Sequence, residues 1–452
     1  MRYFYPKEYG AVGDGVHNDA AAIQAALDAA HRNGGGTVVL ESGKIYYSDS
    51  LRLRANVELH LQKGARLKAT ADIGGYIRPC ETINDPKTAR IGNPVTGKPS
   101  FAFLYGYEAH GCSVTGEGVI DANGHAFVER KDRYYVTGNF YPRPTAIYVE
   151  KSNHISFRDV TVTDAPFWTL HPAGCDDVLI SNIRILNDLD VANSDGIDPD
   201  HCTNVRILGC HIECADDCIC LKTSNGNAEY GPCENILISG CTLVSTSAAI
   251  KIGTEGVGDF RNVLVTDCII SRSNRGLSIQ IRDGGSVENV RYSNILIETR
   301  RFCPDWWGTA EPIVLTTFDR DEATRSGKIR NVSFTNITCK GENGVLVHGN
   351  TQNAIEDVTF ENVRVTLSKT SKWACGLYDL RPCREYGVEA HKNAGFFLRY
   401  ANGVTLDKVK VRFENVCDEY AYALDAAHCE HLELHRFDGE AAHPGMDAVH
   451  VE

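Results

Sequence analysis

Three carboxylates stand out by their spacing. Asp195 lies in Asn193-Ser194-Asp195-Gly196-Ile197-Asp198-Pro199-Asp200, and 21 residues after it Asp216 opens Asp216-Asp217-Cys218-Ile219-Cys220-Leu221-Lys222. Each stands just before a short apolar run, so the same position on neighbouring repeats would bring them together. Two carboxyls held close repel each other's ionised form, which separates their pKa values and makes an acid and a base from one residue type. Cleavage of a glycosidic bond asks for that pair: one carboxylic acid to protonate the leaving oxygen, one carboxylate to activate water. An Asp before a turn commonly bonds only local backbone, and that reading is kept for Asp176, Asp198 and Asp200 taken singly. Turn chemistry does not call for a trio on consecutive repeats.

The elements that must position them form a repeat. Aligned on the first apolar residue, units begin at Ile155, Val178, Val205, Ile236, Val263, Val290, Val332, Val358 and Val404, usually just after Asn or Asp. Successive differences are 23, 27, 31, 27, 27, 42, 26 and 46, the two long ones being a repeat plus an insertion. Periods in the twenties made of strand and turn mean stacked coils sharing a core. A leucine-rich repeat has a similar period, but no recurrent Leu-x-x-Leu-x-Leu and no helix per unit is present. The expected fold is therefore all-β, a single-domain parallel β-helix over residues 1–452, with like residues stacked at about 4.8 Å. Ile147, Leu170, Ile197, Ile219, Ile250, Leu277, Ile313 and Val345 are expected to form an inward ladder. Residues 1–36 form an N-terminal cap, with Ile23, Ala26, Leu27 and Ala30 on one face of a helix. Residues 72–100, 301–312 and 368–395 break the pattern and read as inserted loops.

Two outward columns follow from the ladder. Two residues before it run Thr145, Trp168, Asp195, Asp217, Ala248, Arg275 and Glu311; one residue after it run Tyr148, His171, Asp198, Cys220, Lys251 and Ser278. Gly196 and Gly276 are expected to ease a backbone corner there. The columns describe a groove with Trp168 and His171 at one side, where an aromatic face suits a sugar ring. Asn193, Asp198 and the carboxylates lie in the middle. Lys222, Lys251, Arg275, Gln280, Arg282 and Glu311 are the expected substrate contacts beyond them.

A formal net charge of −13 disfavours nucleic acid and anionic membranes, which require a basic face. No apolar run reaches the roughly 18 residues of a membrane span. The first residues lack the apolar core of a leader, and the 17 cysteines fall singly in apolar runs, as thiols packed in a reducing compartment do. Cys214, Cys218 and Cys220 lack a second pair with zinc spacing. A cytoplasmic protein with no metal or cofactor and an oligosaccharide partner is expected.

The chain resembles glycoside hydrolase family 28, the polygalacturonase family, over nearly its whole length. The resemblance is carried by the Gly10-Ala11-Val12-Gly13-Asp14-Gly15 lead, Gly116-Glu117-Gly118-Val119-Ile120-Asp121, Arg143-Pro144, Pro166-Phe167-Trp168-Thr169-Leu170-His171-Pro172, Asn193-Ser194-Asp195-Gly196-Ile197-Asp198 and Asp216-Asp217-Cys218. It implies a right-handed parallel β-helix and single-displacement hydrolysis with inversion, Asp216 acting as general acid while Asp195 and Asp217 hold and activate water. Two family motifs are altered. Ser247-Ala248-Ala249 stands where Gly-His-Gly is usual, and Ser278-Ile279-Gln280 stands where Arg-Ile-Lys grips a galacturonate carboxylate; Lys251, Arg275 and Arg282 are the candidate replacements. The expectation is an exo-acting glycosidase for pectin-derived or related plant oligosaccharides, with Trp306, Trp307, Trp373, Tyr378, Asp379 and Arg381 on the inserts that would block one end. A calcium-dependent β-eliminating lyase and a non-catalytic carbohydrate-binding solenoid are the alternatives.

Overall fold

The Asn or Asp that opens most repeats marks where the backbone bends. Asn235, Asn262, Asn289 and Asn331 have φ of 61°, 57°, 60° and 54°, the left-handed region that Asn tolerates better than most residues with a Cβ. Their side chains then form a ladder: Asn262 Nδ2 donates to Asn235 Oδ1 at 3.0 Å, Asn289 to Asn262 at 3.3 Å and Asn331 to Asn289 at 2.6 Å. One residue type thus makes the corner and links it to the next coil.

The computed structural model describes residues 2–79, 97–128, 142–351 and 355–452; residues 80–96 of the expected 72–100 insert lie outside them. The fold is all-β, a right-handed parallel β-helix, the hand that crossovers between parallel strands take. It divides into two compact units, Met1–Asp216 with Ser224–Gly231, and Asp217–Thr223 with Pro232–Glu452.

In the first unit, strands Asn153–Arg158, Asp176–Ser181 and Thr203–Leu208 pair in parallel with Ile155, Val178 and Val205 in register. Another face stacks Leu51–Arg52, Ala102–Tyr107, Thr145–Glu150 and Leu170–Ala173, aligning Leu51, Leu104, Ile147 and Leu170 and bridging on to Ile197. Helix Ala20–Arg32 buries Ala22, Ile23, Ala26, Leu27 and Ala30 against strands Gly36–Leu40 and Val57–Leu61. Gln24 holds it down, accepting from the Arg52 N–H at 2.7 Å and donating to the Arg52 carbonyl at 3.2 Å. Asp19 is at the N-cap, but its carboxylate reaches back to the N–H groups of Val12 and Gly13 at 2.7 and 3.0 Å. Asn18 Oδ1 takes the Ala20 N–H instead, at 3.1 Å.

In the second unit, Ile236, Val263, Val290, Val332, Val358 and Val404 are in register coil after coil. So are Ile219, Ile250, Leu277 and Ile313. Tyr292, Phe334 and Phe360 stack inside with centroids 4.9 and 4.8 Å apart and planes within 4° and 7°, the spacing that strand pairing imposes. The 368–395 insert is not wholly loop: Leu377–Asp379 and Val388–Ala390 pair as an antiparallel hairpin. Gly276 takes no left-handed φ; a Cβ there would meet the Pro312 carbonyl oxygen at 2.3 Å, so close packing, not a corner, requires it. Among the described residues no helix is long and apolar enough to cross a membrane.

Leu277 is 1% exposed between Ile250 and Ile313. Leu277→Ala should lower stability by about 2–5 kcal/mol, the cost of a cavity in a core that cannot fully close over it, as read by urea unfolding.

Candidate active site

Asp195 opens a segment that lies along strand Leu170–Ala173 with strand-like bonds. Thr169 N–H donates to the Asp195 carbonyl at 2.9 Å, Leu170 N–H to Gly196 at 3.0 Å, and Asp198 N–H back to Leu170 at 2.9 Å. Asn187 fixes the preceding loop, its Nδ2 donating to Thr169 Oγ1 at 2.8 Å and the Ser194 carbonyl at 3.0 Å. Asn193 turns the chain at φ 59°. Its backbone N–H and side-chain Nδ2 reach Asp216 Oδ2 at 3.2 and 3.5 Å, while its Oδ1 accepts from Arg143 Nη2 at 2.9 Å. Arg143 also donates to the carbonyls of Pro166 and Ala192 and covers the Phe167 ring at 5.0 Å. From the other end, Ala215 N–H donates to Ser194 Oγ at 3.2 Å. The loop of Asp195 and the strand end carrying Asp216 are thereby joined, and the two carboxylates come within 4.8 Å of each other.

Asp217 is the first residue of the second unit. Its Oδ2 accepts from Lys251 Nζ at 2.7 Å; Oδ1 accepts from Ser247 Oγ at 3.0 Å and the Ala248 N–H at 3.2 Å. Burial alone would raise this carboxyl, but the charges of Lys251 and Lys222, with the bonds from Lys251 and Ser247, hold it below the usual carboxylate range. Burial likewise opposes the charge on Lys251, and Asp217 chiefly keeps its pKa above the usual lysine value. Lys222 pairs with Glu255 at 3.3 Å. Against the effect of burial, Lys222, Arg320 and Lys251 bring Glu255 down to about 2.

Several expected sugar contacts have other partners. Trp168 is 2% exposed and lies between Phe167, stacked at 5.3 Å, and the His171 ring, edge-on at 4.9 Å. His171 is fully buried and its Nε2 meets Asp200 Oδ2 at 3.3 Å; Asp198 is fully buried too. These residues form a packed wall behind Asp195, a correction to the open floor expected of them, because outward side chains of adjacent coils fill one another's space. Lys222 is also withdrawn, into its pair with Glu255. Arg275 bonds Glu311 Oε2 at 3.3 Å and the Asp379 carbonyl at 2.6 Å. Glu311 in turn accepts from the Thr309 N–H and hydroxyl at 2.8 and 2.6 Å. Arg282 donates to the carbonyls of Leu380 and Pro382 and to Thr316 Oγ1, under the Phe318 ring. Arg275, Arg282 and Glu311 therefore fasten the inserts to the coils, and the expected carboxylate grip is corrected accordingly. Gln280 Nε2 and Ser278 Oγ are buried without a hydrogen-bond partner among the described residues.

Sequence reasoning missed Asn187, Glu255 and the bracing role of Arg143. Glu255 had one available signal, the need of a buried Lys222 for a counter-charge. Asn187 had none.

The parallel β-helix that brings Asp195 and Asp216 together is also the fold of solved exopolygalacturonases. The model of glycosyl hydrolases family 28 matches residues 93–379, and the chain belongs to that family. It is 30% identical over 269 residues to a probable polygalacturonase of Vitis vinifera, covering 56% of this chain and 52% of the relative. It is 25% identical over 360 residues to an endo-polygalacturonase of Pectobacterium carotovorum subsp. carotovorum, covering 77% and 85%. The chain spans about half the length, or less, of the first curated relatives it matches. In fold it is similar to the family 28 exopolygalacturonase of Yersinia enterocolitica, with TM-score 0.73 at 16% identity over 97% of this chain and 79% of that one. The hyperthermoactive exopolygalacturonase of Thermotoga maritima superposes with TM-score 0.68 at 20% identity, over 81% and 87%.

Asp200, bonded by His171, Ser224 and Asn227, falls to about 2 although burial raises it. A carboxyl depressed in the fold adds stability above its unfolded pKa and loses it as pH falls through the folded one. Asp200→Asn should therefore cost about 2–3 kcal/mol above about pH 5. The difference from wild type should vanish toward pH 2, as followed by denaturant unfolding across that range.

Proposed function

We propose that the chain is a glycoside hydrolase that cleaves O-glycosidic bonds with inversion, acting from one end of pectin-derived or related plant oligosaccharides. The observation that carries it is the approach of Asp195 and Asp216, with Asp217 next in the chain and kept ionised by Lys251. Asp216, oriented by both amide groups of Asn193, gives its proton to the leaving oxygen as the glycosidic bond breaks. Asp195 and Asp217 hold the water, and one of them takes its proton as the water oxygen bonds to the anomeric carbon. The two nearest oxygens of Asp195 and Asp216 are closer than the roughly 6.5–9.5 Å usual between the carboxyls of an inverting pair. Inversion is supported by family membership and not by this spacing, and its test is direct.

The sugar-reading side differs from the family's habit. Ser247 and Ala248 hold Asp217 in place of a histidine. Ser278 and Gln280 bring neutral groups where cations are usual, and a buried polar atom left unpaired costs about 1–3 kcal/mol. Neutral side chains in place of those cations support a substrate whose recognised ring is neutral at this subsite. The inserts fastened by Arg275 and Arg282 support end-wise cutting. The same reading places the protein in the cytoplasm, where its thiols stay reduced, with an oligosaccharide and neither nucleic acid nor membrane as partner.

A panel of pectic and other plant oligosaccharides, with products read by mass spectrometry, should show one terminal unit released at a time, and NMR should show the inverted anomer first. A retained anomer, or an unsaturated product, overturns the mechanism. Asp216→Asn should lower turnover at least about 100-fold. Lys251→Met removes the charge that lowers the Asp217 pKa, so the acid limb of the pH–activity profile should move to higher pH; an unmoved limb rules Asp217 out as a group that must be ionised.

A further inference from the structure

On the second unit two thiols and a carboxylate converge. Cys375 Sγ, Cys417 Sγ and one Glu419 carboxylate oxygen all lie within 4.8 Å of one another, and the Cys375 thiol donates to Glu419 Oε2 at 3.3 Å. The packing cysteines of the coils, such as Cys210, Cys268 and Cys339, are fully enclosed. Here both thiols and Glu419 are half-buried, so an ion can reach them.

The backbone that carries the three groups is held on every side. Arg301 Nη1 donates to the Ala374 carbonyl at 2.6 Å, and the Gly376 N–H donates to Asn393 Oδ1 at 2.6 Å. Asn393 N–H donates to the Glu419 carbonyl at 2.8 Å and Tyr420 N–H to the Cys417 carbonyl at 3.1 Å. Gly376 lets the Glu419 side chain lie close, since a Cβ there would sit 2.7 Å from Glu419 Cγ. The convergence is therefore built into two anchored loops.

We propose that Cys375, Cys417 and Glu419 form a binding site for a thiophilic divalent cation of the zinc class, with a fourth position for water. Tetrahedral ligation with Zn–S of about 2.3 Å and Zn–O of about 2.1 Å sets S···S near ~3.8 Å and S···O near ~3.6 Å. Both lie inside the span the three atoms already occupy. Binding converts two thiols to thiolates, releases their protons and leaves the ion with its three ligands one negative charge; Lys392, which helps lower the Glu419 carboxyl after the Cys375 hydrogen bond, stands ready to balance it. The ion would tie the 368–395 insert to the coil that follows it. That insert also supplies the Asp379, Leu380 and Pro382 carbonyls gripping Arg275 and Arg282.

The test uses the full chain, reduced and stripped with chelator, then dialysed against zinc. One equivalent should be retained and lost in the Cys375→Ser/Cys417→Ser double variant, and Glu419→Gln should weaken it about tenfold or more. Zinc should raise the Tm of wild type and not that of the double variant. X-ray absorption at the zinc edge of wild type, which depends on no variant, should show two sulfur neighbours and two light ones. Zinc retained equally by the double variant, no zinc in wild type, or four sulfur neighbours would each overturn the proposal.

Discussion

The described strands of the coils pair with their equivalents one coil away, so a side chain's neighbours above and below are those at the same place in the repeat. Inside, that rule stacks aliphatic on aliphatic and aromatic on aromatic at the strand spacing. At the corners it stacks amides whose left-handed backbone only a few residue types accept readily. On the outward columns it has a different effect: residues far apart in number are brought to hydrogen-bonding range whatever their chemistry, as Lys251, beside Cys220 and Ser278 in register, shows. The bond from Lys251 to Asp217 depends on this rule.

The same rule buries charge, and buried charge must be answered. Lys251 answers Asp217, Glu255 answers Lys222, and Glu311 with Asp379 answers Arg275. Such pairs contribute little net stability, because desolvation offsets most of the attraction, but losing one partner leaves an uncompensated charge. Their consequence here is for the site. Asp217 is held below the usual carboxylate range although burial raises it, and Lys222, which helps to hold it there, is itself paired with Glu255. Arg143 and Asn187 serve the first unit in a related way, using neutral carbonyl and amide partners to hold the loop of Asn193 and Asp195 against the strand beneath.

The inserts show how a solenoid acquires features its repeat does not encode. Residues 301–312 and the 377–390 hairpin are not paired to the coils by strand ladders. They are attached by side chains that reach out of the coils, Arg275 and Arg282 above all, to the inserts' backbone carbonyls. A guanidinium suits this because its several N–H donors lie in one plane and cannot be neutralised at ordinary pH. Those two arginines therefore carry structure where a sugar-binding role had seemed available to them.

Period, ladder and corners were legible in the sequence because they rest on local rules repeated many times. Apolar alternation, Asn at the bend and one amphipathic helix at the start led to the register of Ile147 with Leu170 and of Ile250 with Leu277 without further information. Asp195 and Asp217 were assigned to one column for the same reason, since a register once known assigns every residue to a column. A column does not say how deep a side chain lies or which neighbour reaches it first. Trp168, His171, Arg275 and Glu311 stood in those columns and Arg282 was expected beyond them, yet their partners come from Phe167, Asp200, Thr309 and an insert about a hundred residues on in the chain. Sequence by itself determined the repeat and the column that each side chain joins, because strand pairing is periodic; tertiary structure alone decided how deep each one lies and which partner holds it, because that depends on packing between segments with no period in common.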